Sequence, residues 1–135
     1  MGSMASNPLY IMLCSGEHEK VQMAAMMASV GAVSERRVEV FVSMNAILAF
    51  AKDATAEIRY HGGPFSKLIK EKHAPDAMTL FRQGKELGDL KLWACSMALD
   101  LAGLEMDHLV EKLFDGPLGL TKFLSDAEAG QLVTL

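Results

Sequence analysis

The apolar positions of this chain fall into short continuous runs separated by longer stretches with helical spacing. Leu9 to Cys14 is an apolar run after Pro8, Arg37 to Ser43 carries Val38, Val40, Phe41 and Val42, and Leu92 to Cys95 follows the turn signals Gly88 and Asp89. Runs of this length bounded by turn residues read as buried strands of a parallel sheet. Gln131 to Leu135 reads as a terminal strand, and a small strand is expected near Leu113. After the first run, Val21, Ala24, Ala25 and Ala28 have helical spacing, and Glu17 and Glu19 suit a first turn, so a helix from Glu17 to Ser34 is expected. Met23, Met26, Met27 and Val30 make another side of the same helix apolar. A helix apolar on nearly every side is more buried than a surface helix, and in a chain this short the missing cover points to another subunit.

Ser43 is expected to cap a helix running through Ile47, Leu48 and Phe50 to Lys52. Asp76, after Pro75, caps an amphipathic helix whose stripe is Ala77, Leu80, Phe81, Gly84 and Leu87, with Gly88 ending it. Ser96 is expected to cap a short helix from Met97 to Ala102 that ends at Gly103. Glu105 to Leu113 reads as a polar turn or short helix, and Gly116-Pro117 as the opening of a last helix through Leu120, Phe123 and Leu124, closed by Gly130. Thr55 to His73 has the weakest pattern: Arg59 to Pro64 is loop-like, and Phe65 to Lys72 suits a short helix with its lysines in water. Such a stretch beside a site can serve as a lid.

Strands alternating with helices predict an α/β fold. The expectation is a single-domain parallel sheet of about five strands with helices on both faces, a flavodoxin-like three-layer sandwich. In a flavodoxin-like order the first and third strands are neighbours. Residues 7–135 would form this domain. Residues 1–6 are expected to be a tag-derived or disordered start, since Met1-Gly2-Ser3 before Met4 has the look of a vector remnant.

Composition narrows the function classes. In 135 residues, hydrophobic types make 50% and charged types 22%, enough for a sizeable core and against disorder. The net charge of −4, with no block of Lys or Arg, makes nucleic acid and anionic membranes poor partners. No apolar run reaches the roughly 18 residues of a membrane span. Two cysteines are too few for a disulfide scaffold and suit a reducing compartment, so a cytoplasmic protein is expected. The ten Met residues are read as gap-filling core side chains together with subunit contact.

The candidate chemistry centres on Cys95. It falls where a strand hands over to a helix N-terminus, where unpaired N–H groups and the helix dipole favour a thiolate. That is also the end of a parallel strand where open α/β sheets place ligands. The competing reading is a small buried hydrophobe, the commonest fate of a free Cys, and position alone does not separate the two. Cys14 ends the first strand in the same way, so the two sulfurs would approach if their strands were neighbours. Cys14-Ser15-Gly16 before a helix could cradle a small anion, with Gly16 and Ser96 as candidate substrate-binding positions. Lys20 could offer a cation to a thiolate or an anionic ligand, or be a solvated helix side chain. His18 is read equally as a surface residue. His18, His61, His73 and His108 show no metal-ligand spacing, and no GxSxG, Walker A or GxGxxG motif occurs, so neither a metal nor a cofactor is expected.

The chain resembles the DsrE/DsrF-like family, in particular its stand-alone sulfur-metabolism branch, sometimes labelled peroxiredoxin-like. The strongest match runs from Gly84-Lys85-Glu86-Leu87-Gly88 through Leu92-Trp93-Ala94-Cys95-Ser96-Met97 to Asp100 and Gly103. Ser15-Gly16-Glu17 with Lys20, Val40-Phe41-Val42, and Glu71-Lys72 through Pro75-Asp76 are weaker matches. The resemblance spans Tyr10 to the C-terminus, with Thr55 to Ser66 poorly covered. It implies a compact α/β homo-oligomer in which Cys95 carries sulfane sulfur as a persulfide or thiosulfonate and Lys20 lines the site. Cys14 matches no family cysteine, and Asn45 stands where the branch has a bulky residue and a Gly.

The expected function is sulfur relay: Cys95 accepts sulfane sulfur from a persulfide or thiosulfonate, such as a low-molecular-weight donor, and passes it to an acceptor thiol on a small sulfur-carrier protein. Three other classes remain open. These are an oligomeric module that binds a small anion or flavin-like ligand without chemistry, a peroxide-reducing thiol with Cys14 as resolver, and a structural subunit with an inert Cys95.

Overall fold

The computed structural model describes residues 7–135, so the expected tag-derived start lies outside the described residues. Five strands form one sheet: β1 (Leu9–Leu13), β2 (Val38–Val42), β3 (Leu90–Cys95), β4 (Gly116–Leu118) and β5 (Gln131–Thr134). Their spatial order is β4-β3-β2-β1-β5, and every pairing is parallel. The α/β sandwich is therefore as expected, but one detail of the order is not: β2 lies between β1 and β3. The order reverses at β1, whose other neighbour is β5.

Seven α-helices connect the strands: α1 (His18–Val33), α2 (Asn45–Ala49), α3 (Ala56–Arg59), α4 (Pro64–Glu71), α5 (Ala77–Leu87), α6 (Ser96–Ala102) and α7 (Leu120–Ala127). A 3-10 turn over Met106–His108 precedes β4. Right-handed crossovers that advance from β1 to β3 place α1 and α5 on one face, and the return to β5 places α7 on the other. The close approaches agree. A Cβ on Gly31 of α1 would lie 3.0 Å from Val38, and one on Gly84 of α5 would lie 2.8 Å from Leu90. On the opposite face, Phe123 of α7 stacks on Phe41 at 4.9 Å and meets Tyr10 edge-on at 5.8 Å. Alternation along the strands makes the division: Leu9, Ile11, Val38, Val40, Leu90 and Leu92 face α1 and α5, while Tyr10 and Phe41 face α7.

Several boundaries differ from the sequence reading, each for a local reason. Met44, not Ser43, stands before α2, and α2 stops at Ala49, short of Lys52. Met44 has φ 50° and ψ −137°, a conformation that costs a residue with a Cβ on the order of 1–3 kcal/mol. Cys95 itself occupies the cap of α6, so Ser96 is the first helical residue and makes no side-chain cap. In α5, Asp76 caps as expected by accepting from Thr79 N–H at 3.3 Å, but Met78 is buried and Leu87 is 69% exposed. Gly116-Pro117 belongs to β4 rather than to a helix start, so the small strand lies beyond Leu113 and α7 begins at Leu120. An edge strand tolerates proline because one side of it needs no ladder hydrogen bond.

Candidate functional site at the carboxyl edge of the sheet

The carboxyl ends of β1, β2 and β3 gather the chain's thiols. Val42 pairs with Leu13 and with Ala94. One residue further on, the same register carries Cys14 opposite Ser43 and Ser43 opposite Cys95, and Ser43 N–H donates to Leu13 O at 2.9 Å. Alternation points all three positions to the α7 face, in one row across the central strands. Cys95 is 4% exposed and Cys14 is half-buried. Burial, and the charge that Cys95 would carry, push the Cys14 thiol above its ordinary range.

The interposed strand changes the thiol chemistry. Two strand spacings put the Cys14 and Cys95 backbones roughly 10 Å apart. A disulfide needs Cα atoms within about 7 Å. Cys14 therefore cannot resolve an oxidised Cys95 within one chain without backbone movement, and the neighbouring-sulfur expectation is corrected.

A cleft of about 440 Å³ flanks this edge, lined by Ser15, Gly16 and Glu17 after β1, by Asn45, Leu48 and Ala49 of α2, and by Glu57, Ile58 and His61. It lies at the carboxyl ends of β1 and β2, the end of the strands where open α/β sheets place their ligands. Gly16 is required by packing, because a Cβ there would lie 2.8 Å from the backbone oxygen of Asn45. Two carboxylates, Glu17 and Glu57, line the cleft, so it disfavours a small anion. Lys20 is exposed on the first turn of α1 and does not line the cleft, and Ser96 is exposed on α6. The structure thus brings together Cys14, Ser43 and Cys95, with Gly16 at the cleft beside them, and leaves Lys20 out.

A second polar centre lies under the segment that the sequence left weakest. His18 is 2% exposed rather than a surface residue, and its Nδ1 lies 2.6 Å from Ser66 Oγ. Burial first, and then Lys70, lower its pKa. Tyr60 packs edge-on against the His18 ring at 5.0 Å, and its hydroxyl donates to Asp76. Burial and that carboxylate push the Tyr60 phenol up to about 12. Glu19 Oε2 accepts from Gly63 N–H at 2.8 Å and Ser66 N–H at 3.2 Å, which ties the start of α4 to α1; its own backbone N–H first, and then these two bonds, hold the carboxyl below its usual range. Gln22 Nε2 donates to Pro75 O at 2.9 Å. Sequence reasoning passed over Gln22, Tyr60, Ser66 and Asp76 as a group. The one available signal was the four-residue spacing of His18 and Gln22 on α1.

No protein-family model matches the chain, and no curated protein matches it. Among solved structures it is similar to a protein of unknown function, MTH1491 from Methanobacterium thermoautotrophicum, with a TM-score of 0.62 and 13% sequence identity over 96% of this chain and 100% of that one. A likeness at that identity is one of fold, and it agrees with the α/β sandwich. Among the described residues, no helix is long and apolar enough to cross a membrane.

Proposed function

We propose that the protein is a sulfur-relay protein that carries sulfane sulfur on Cys95. The observation that supports this most is the place of Cys95: it ends β3 at the carboxyl edge of a parallel sheet, in one row with Ser43 and Cys14. In the loading step the Cys95 thiolate attacks the outer sulfur of a persulfide R–S–SH. The donor's S–S bond breaks, R–S⁻ leaves and takes up the proton, and Cys95 keeps the transferred sulfur as a new S–S bond. An acceptor thiolate reverses the step. No electrons are gained or lost overall, so no resolving cysteine is needed, which suits thiols separated by a strand.

Two features sharpen the reading. Cys95 is 4% exposed, so loading requires its cover to shift, and a compact donor loads faster than a bulky one. The carboxylates of Glu17 and Glu57 disfavour thiosulfate and other small anions at the adjacent cleft, so a persulfide on a carrier or a small thiol is the preferred donor. The test is intact-mass spectrometry after incubation with glutathione persulfide, inorganic polysulfide or thiosulfate, with peptide mapping. A gain of sulfur on Cys95, lost in Cys95→Ser, supports the relay. Full loading of Cys95→Ser, or no adduct from any donor, overturns it.

A non-catalytic binding module is the second reading. The 440 Å³ cleft at the carboxyl ends of β1 and β2 favours it, with an uncharged or cationic ligand in place of an anion. An inert Cys95 together with saturable ligand binding at that cleft would establish it.

A homo-oligomer belongs to the same proposal. Met23, Met26, Val30 and Val33 form an exposed stripe along α1, and no charged residue occurs between Lys20 and Glu35. Two copies can meet there about a twofold axis without like charges opposed.

A further inference from the structure

The polar centre beneath residues 60–76 borders an open cavity of about 270 Å³ that the thiol chemistry does not use. Its wall includes two polar side chains that are almost wholly buried, His18 and Gln22 at 2% and 5% exposure. The amide of Gln22 is oriented by its bond from Nε2 to Pro75 O, and Oε1 is left buried with no partner. A buried acceptor without a donor is rare in a folded protein and asks for a ligand or water.

His18 presents a second acceptor. The Ser66 hydroxyl has one proton and directs it to Tyr60 O at 3.1 Å. With that proton on Tyr60 O, the 2.6 Å contact is an Nδ1–H donating to Ser66 Oγ, the tautomer that leaves a lone pair on Nε2. Asp76, on the same wall, adds a carboxylate whose oxygens already take the Tyr60 hydroxyl and Thr79 N–H. Opposite in character is Lys70 of α4, whose Nζ also donates to Tyr60 O at 3.3 Å, and His73 follows in the turn after it. Acceptors and a carboxylate thus share one small open cavity with a cationic side chain.

We propose that this cavity binds a small zwitterion, a molecule of α-amino acid size. Its ammonium would meet Gln22 Oε1, His18 Nε2 and Asp76, and its carboxylate would meet Lys70. The volume suits that size: it lies just under the usual range of drug-sized pockets, roughly 300–1,000 Å³. Three acceptors match the three protons of an ammonium, and the residues are not those of the thiol edge.

An NMR titration of the full chain with each common amino acid tests the site, with acetate and ethylamine as half-ligands. At least one amino acid should give saturable shifts confined to His18, Gln22 and residues 60–76, with neither half-ligand reproducing them at the same concentration. Gln22→Leu should weaken that binding at least ~10-fold by removing the unpartnered acceptor. Lys70→Met, on the exposed side of α4, should weaken it without disturbing the fold, and it decides the matter if Gln22→Leu does not fold. Cys95→Ser should leave it unchanged. No saturable shift with any amino acid, equal affinity in Lys70→Met, or acetate binding as tightly as the amino acid overturns the proposal.

Discussion

Single residues set two measurable properties. Gly88 has φ −157°, which any residue adopts, but a Cβ there would lie 2.3 Å from the backbone oxygen of Ala32. Backbone cannot rotate away as a side chain can, so Gly88→Ala should destabilise by about 1–3 kcal/mol in urea denaturation. Gly119→Ala, with open space around it and an ordinary φ of −85°, should be neutral or slightly stabilising. His18 sets a pH dependence. Its folded pKa is lowered, chiefly by burial, so the unfolded chain takes up its proton first. The stability it contributes is full above the unfolded value near 6.5 and is lost as pH falls below that toward the folded value. The urea midpoint should fall between about pH 7.5 and 5.5, and His18→Gln should flatten that slope. The buried state of His18 was not legible from its neighbours. Glu17, Glu19 and Lys20 mark a solvated helix start, and what buries His18 comes from Tyr60 and Ser66, more than forty positions away.

Among the elements, those with a strong period were readable and those held by distant partners were not. The spacing of Val21, Ala24, Ala25 and Ala28 predicts α1, and the apolar Val38, Val40, Phe41 and Val42, three of them β-branched, predict β2. α4 is a different case. Only Ser66 of its residues is buried, and its first turn is fixed by the carboxylate of Glu19, which accepts from two backbone N–H groups. That is a cap supplied by another helix. Glu19→Ala should cost about 0.5–2 kcal/mol and speed amide exchange at residues 63–71, with the sheet amides unaffected. Uniform loss of protection across the sheet would show that α4 does not open by itself. The α6 cap differs from the sequence expectation for a related reason: Ser96 is the better capping type, yet the strand geometry carries one residue further and leaves Cys95 at the boundary.

For the whole molecule, the consequential feature is a surface that one chain does not cover. Val30 in the exposed stripe of α1 is 66% exposed, and Leu87 at the end of α5, which packs on α1, is 69% exposed. Light scattering after size exclusion should show a dimer or larger species. Val30→Lys should shift it to monomer, with the far-ultraviolet dichroism unchanged, because burying a lone lysine in an apolar interface leaves its charge unpaired. A wild-type monomer at micromolar concentration would remove the oligomer from the proposal.

Local chemistry is enough to specify much of this protein. Apolar runs bounded by Gly, Pro and Asp mark strands, helical spacing marks α1 and α5, and their alternation requires a parallel sheet with helices on both faces, because parallel strands need crossovers. The same rules place Cys14 and Cys95 each at the end of a strand. Strand order is another matter, since the residues of a buried strand look alike whichever neighbour they pair with. Pairing β2 between β1 and β3 is what separates the two thiols by a strand, aligns them in one row with Ser43, and keeps them beyond direct disulfide reach without backbone movement. Burial of His18 and Gln22 likewise depends on where the 55–76 segment comes to rest, and that is a contact between residues with no local pattern in common.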